Sequence, residues 1–237
     1  MGHLFKVVLS VALFASVRGG PAAAADVAGV PSPRLRLVWV DVLGSAPFAF
    51  LNASREASAI LARAGVETEW TLGATSSVTT DDELKVVLLE GITKGARLPG
   101  NVMGGTRRGA QSRTTWIYLA TVLWALGLQD RSPQGFTAGE EEDIARALGR
   151  VVAHEIVHAV APQLPHTRSG LMAGRISRIL LVQGSVSLGA REQKALRAGL
   201  ATFNAPPRPA ADAVAMAARS YISPSTRYSS EIERLKP

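Results

Sequence analysis

Apolar residues recur at helical spacing over residues 138–161, where Ile144, Leu148, Val151, Val152 and Val157 supply one side. Thr137 followed three residues later by Glu140 fits a capping box, and Glu140, Glu141, Glu142 and Asp143 set negative charge against the positive end of that helix. Residues 50–64 repeat the pattern with Ala53, Ala57, Ile60, Leu61 and Ala64, and Gly65 fits the stop. Elsewhere the period changes. Leu35 to Val42 is β-branched and apolar, Val66, Thr68, Trp70 and Leu72 alternate with polar residues, and Leu84 to Leu89 and Thr114 to Leu119 read as further strands. The Val66–Leu72 alternation predicts a half-buried strand. Leu123 to Leu128 and Ile176 to Val182 fit strand or helix equally. Ser187 to Leu200 reads as a helix with Leu188, Leu196 and Leu200 inward.

Strands interleaved with helices predict an α/β (α+β) fold, and the length suits one globular domain of ordinary size. Residues 91–113 hold six glycines and a proline, which predicts a mobile loop. Pro206, Pro207, Pro209 and Pro224 break any long element after Thr202, so 202–237 reads as an extended tail, and residues 26–34, with Pro31 and Pro33, as a linker. Residues 1–25 have the layout of a secretory signal: Lys6, an apolar stretch from Val7 to Val17, and the small-residue run Ala22 to Ala25. That stretch is too short to span a bilayer comfortably. The expectation is a secreted or periplasmic protein with no stable membrane insertion once the signal is cut.

Composition narrows this further. There is no cysteine, which excludes disulfides, lipid attachment through a thiol, and thiolate metal sites. The net charge is +7, and loss of residues 1–25 with Lys6 and Arg18 leaves +5. The arginines are scattered along the sequence and no nucleic-acid motif is present, so no nucleic-acid partner is expected.

The chemistry is concentrated in one place. Three of the four histidines, His154, His158 and His166, lie within thirteen residues; the fourth, His3, falls in the signal segment. His154 and His158 are one helical turn apart on one face, so both rings reach a common ion. Pro162 and Pro165 stop the helix, and a reversal after Ala161 returns His166 to the pair. Three neutral imidazoles with one open position describe a catalytic rather than a structural zinc site. Glu155 leaves the helix beside such an ion, placed to take a proton from water as general base. The His-Glu-x-x-His motif is short enough to arise by chance; the credible helix and the third histidine beyond a turn raise it above coincidence.

At these residues the chain resembles the metzincin-type zinc peptidases, with Ala161 where their signature has glycine and the third histidine two residues late. It is similar in particular to small bacterial secreted proteins of unassigned function, in which the second-to-third histidine gap matches His158 to His166 and the segment His166-Thr167-Arg168-Ser169-Gly170-Leu171-Met172 matches the end of the pattern. Pro162 and Val157 stand where that group has glycines. The likeness is strong over 148–175 and weak over the rest of 35–200. It implies a metzincin-like catalytic domain over residues 35–201, a small twisted mixed sheet packed on the helix that carries the motif, binding one zinc ion, with His154, His158 and His166 as ligands, Glu155 as base and Met172 as the methionine of the turn beneath the metal. It also implies a strand that pairs with extended substrate, for which Thr114–Leu119 is the candidate. Tyr118 and Arg168 are candidates for a second electrophilic group.

The resulting expectation is a secreted zinc-dependent metallopeptidase acting on peptide or protein substrates. The alternatives are a non-catalytic zinc-binding exported protein, a non-peptidase metallohydrolase, or a metal-free interaction protein carrying the motif by coincidence. Substrate specificity and oligomeric state are not encoded in any readable motif.

Overall fold

The computed structural model describes residues 32–75, 80, 82–91, 102–107, 111–131 and 135–205, all within one unit spanning Ser32–Pro237. The signal segment and most of the linker and tail lie outside the described residues.

A five-stranded mixed sheet is built from β1 (Arg34–Asp41), β2 (Glu67–Leu72), β3 (Glu83–Leu89), β4 (Gly104–Thr106) and β5 (Thr114–Tyr118), in the order β2-β1-β3-β5-β4. All pairs are parallel except β4 against β5. Alternation explains which face is covered. Leu35, Leu37 and Trp39 of β1 and Leu84, Val86 and Leu88 of β3 are fully buried and share one core with the helices.

That core is closed by α1 (Ala49–Ala62) and α3 (Ala138–Val160). Ala49, Ala53, Ala57, Ile60 and Leu61 form the buried stripe of α1. On α3 the capping box is present in full: Glu140 N–H donates to Thr137 Oγ1 at 3.3 Å, and Thr137 N–H donates to Glu140 Oε2 at 2.8 Å. The helix is 23 residues long and buried along most of its second half. Arg150, 1% exposed, anchors a later part of the chain to this helix. It donates to the Glu56 carboxylate at 2.7 Å and to the backbone carbonyls of Leu180, Gln183 and Gly184, tying the end of α4 (Arg178–Val182) to α3 and α1.

Several expectations are corrected. The 91–113 segment contains β4, so its glycines Gly104 and Gly105 lie in a strand; residues 92–101 and 108–110 fall outside the described residues. The Thr114–Leu119 strand ends at Tyr118, where α2 (Leu119–Leu126) begins; this settles Leu123–Leu126 as helix, stopped at Gly127. More consequentially, β5 is flanked by β3 and β4, so its backbone is already paired and no edge is left for substrate. In β2, Trp70 and Thr68 meet Ser58 of α1, but Leu72 is 70% exposed, because β2 is an edge with one neighbour only. The last helix, α5, spans Ala190–Phe203, starting later than Ser187 and ending beyond Leu200 on a buried Phe203; Leu188, Leu196 and Leu200 are buried as expected. No helix among the described residues is long and apolar enough to cross a membrane.

Candidate metal centre

The last turns of α3 carry His154 and His158 on one face, and the chain then turns at Pro162 and returns His166 to them. The carbonyls at the helix end are used: Gln111 Nε2 donates to Val160 O at 3.0 Å and Ser112 N–H to Ala159 O at 3.1 Å, so the end of α3 is held as well as stopped. The three rings lie 4.8, 5.2 and 4.8 Å apart between centroids, and one nitrogen from each falls within 4.8 Å of the others. Zinc–imidazole bonds of about 2.0–2.1 Å set ligand nitrogens about 3.4 Å apart, a gap that small ring rotations close. The group could therefore hold a metal ion, and its all-nitrogen donor set suits zinc. It grades from buried His154 through His158 to exposed His166, so it opens to solvent on the His166 side.

His154 is prepared for such a role. Its Nδ1 lies 2.7 Å from Leu171 O; a carbonyl only accepts, so Nδ1 carries the proton and Nε2 presents its lone pair. Burial drives its pKa down to about 4, against the bond to Leu171, which favours the charged form, and with a smaller contribution from His166 in the same direction as burial. The ring is thus neutral across the ordinary pH range.

The loop that supplies Leu171 is tightly closed. Thr167 N–H donates to Met172 O at 2.8 Å, Thr167 pairs with Ala173, and Gly170 takes φ +79°, a conformation that L side chains rarely adopt. Leu171 and Met172 are buried, and His166 lies over Gly174, where an added Cβ would make ordinary contact with it at 3.5 Å.

Glu155 is 6% exposed and turns away from the helix toward β4. Thr106 Oγ1 donates to Glu155 Oε2 at 2.8 Å, and Thr115 Oγ1 lies 2.9 Å from Thr106 Oγ1. A Cβ on Gly104 would meet Glu155 Cγ at 2.7 Å and Oε1 at 2.9 Å. Thr106, Thr115 and Gly104 are participants that the sequence did not reveal. A threonine at 0% exposure on a core face is the one trace it left, legible only once the strand is placed.

Of the two candidate electrophiles, Tyr118 is on the wrong side. Successive strand residues face opposite ways, and its hydroxyl stands 3.7 Å from where a Cβ on Gly105 would be, whereas Glu155 packs on Gly104. Burial, and secondarily the Glu155 charge, raise its pKa and keep it neutral. Arg168 is exposed in the loop two residues after His166.

No protein-family model matches the chain, and no curated protein matches it. Among solved structures it is similar to archaemetzincin from Methanopyrus kandleri, at 15% identity over 71% of this chain and 97% of that one, with a TM-score of 0.49. It is similar also to metalloproteinase-II from Bacteroides fragilis, at 12% identity over 71% of this chain, with a TM-score of 0.43; the chain spans 53% of that protein.

Proposed function

We propose that this chain is a zinc-dependent metallopeptidase of the metzincin type, exported by way of residues 1–25. The observation that carries the reading is the convergence of three imidazole nitrogens within 4.8 Å beside a buried glutamate held by a hydroxyl. His154, His158 and His166 are the proposed ligands of one zinc ion, and Met172 the methionine of the turn below. Zinc bound there supplies a water of pKa about 7 and polarises a carbonyl. Glu155 takes the proton from the attacking water and returns it to the leaving amine. Leu171 O fixes the His154 tautomer, and Thr106 fixes the base.

The extended substrate is proposed to pair with β4. Among the described residues this strand has β5 on one side and no strand on the other, so its outer backbone groups match those of a peptide. The long His158–His166 gap and Pro162 do not keep His166 from the other two rings.

The test is zinc content and peptide hydrolysis of the mature chain beside Glu155→Gln and His166→Ala. Near one zinc per chain, retained in Glu155→Gln with hydrolysis abolished and weakened in His166→Ala, is the expected result. Absence of zinc after reloading, or hydrolysis that survives Glu155→Gln, sinks the reading.

A further inference from the structure

Charge is segregated along this chain in a way its net value hides. No acidic residue occurs between Glu90 and Asp130, nor between Glu155 and Glu192. The first stretch carries β4 and β5; the second carries His158, His166 and the loop of Met172. Within them, Arg107 directly follows Thr106, Arg168 lies two residues from His166, and Arg175 follows Gly174, on which the His166 ring packs. All three are exposed, and among the described residues none makes an ion pair or side-chain hydrogen bond. Of the other arginines, Arg34, Arg36, Arg131, Arg146 and Arg150 each meet a carboxylate and Arg63, Arg113 and Arg197 donate to backbone carbonyls, while Arg55, Arg178 and Arg191 do neither among the described residues. The acids Glu140 to Asp143 sit at the far end of α3, roughly 25 Å from His158 by helical rise, well beyond a Debye length of about 8 Å.

We propose that the cleft at the three histidines selects acidic peptides, with Arg107, Arg168 and Arg175 holding carboxylates on either side of the bond to be cut. This rests on the peptidase reading and names its substrate class. Three exposed arginines near the histidines, with Glu155 buried and held by Thr106, raise the local concentration of anionic ligand and penalise basic sequences. A peptide fits better than a lipid surface or a nucleic acid, because Arg107 follows β4, whose outer side meets no strand among the described residues and offers donors and acceptors that match a peptide backbone.

The experiment uses zinc-loaded Glu155→Gln, which holds the site without turnover, and fluorescent peptides of alternating Glu and Ala, Gln and Ala, or Lys and Ala. The acidic peptide is expected to bind about tenfold tighter than the neutral one at low ionic strength, with the preference fading at about 1 M salt. Adding Arg107→Gln, Arg168→Gln and Arg175→Gln should abolish the preference while zinc content and melting temperature stay put. The salt series reads the same charge effect without those substitutions, should the combined variant not fold. Equal binding of acidic and neutral peptides, a preference indifferent to salt, or one that survives the three substitutions overturns the proposal. So does arginine-dependent binding to phosphatidylglycerol vesicles without a peptide preference, which would make the patch a membrane contact. A wild type that cleaves none of the peptides, with the acidic preference intact, removes the peptidase reading and supports the charge selection.

Discussion

The Thr106 hydroxyl and the Glu155 carboxylate, 49 residues apart in sequence, are joined by a 2.8 Å hydrogen bond between the sheet edge and the metal-site helix. A hydroxyl has one proton to give. With it committed to the carboxylate, Thr106 Oγ1 is left to accept from Thr115, whose own proton is shared with Gly105 O at 3.3 Å. Hydrogen bonds to a charged group are worth about 1.5–3 kcal/mol. Thr106→Val should lower kcat by about tenfold or more with KM and zinc content unchanged, and Thr106→Ser should restore it. A fall in zinc content instead, measured on the purified variant, would mean that Thr106 supports the fold of the site rather than the base.

Gly104→Ala tests the same carboxylate from the other side. The added Cβ would stand 2.7 Å from Glu155 Cγ, closer than such atoms approach, and Glu155 is the flexible partner that must move. A base displaced by about 1 Å can cost 10²-fold in rate. Hydrolysis kinetics should show a loss of that order in kcat with zinc retained. Unchanged kcat would show that the carboxylate works from a different position.

What the sequence made legible depends on the kind of signal each residue carries. The α3 helix announced itself, because capping box, first-turn acids and apolar spacing are local and agree. The three histidines were legible as a set, because their separation of four and then eight residues is itself the geometry. β4 was not. Three residues, two of them glycines, have no periodicity to read, and the strand exists because β5 offers it a partner. Missing β4 led to the error over β5, whose own residues gave no hint that both of its edges would be filled. Tyr118 failed for a related reason: a strand residue's face depends on register, which no spacing within the strand reveals.

The capping box at Thr137 should be measurable as stability and as a pH effect. Thr137→Ala removes a side-chain acceptor from the first turn of α3, at a cost of about 1 kcal/mol, or about 2–4 °C in Tm for a chain of this size. The bond from Thr137 N–H, with one from its hydroxyl, lowers the pKa of Glu140 in the folded state. Its contribution is therefore fully present above the unfolded value of 4.5 and is lost as pH falls through the lower folded value. Urea denaturation should show the gap between wild type and Glu140→Ala, which removes the carboxylate that both bonds reach, widest above pH 4.5 and narrowing below it. A gap that does not change with pH would remove Glu140 from the cap.

Arg150 makes the strongest stability prediction, because it is a buried cation with every partner specified. Its guanidinium serves Glu56 on α1 and three carbonyls at the end of α4, so one side chain holds α1 and the chain beyond the Met172 loop against α3. Arg150→Met fills the volume but leaves Glu56 without that partner and takes a donor from each carbonyl. Breaking such a pair from one side costs about 3–5 kcal/mol. Arg150→Lys keeps the charge without the planar fork and should fall between. Since the chain released by Arg150→Met comes after the turn that gives Leu171 O to His154, zinc affinity should weaken in parallel with stability. Chelator competition beside urea denaturation would separate the two effects: loss of stability with zinc affinity untouched would confine Arg150 to the packing of α1, α3 and α4.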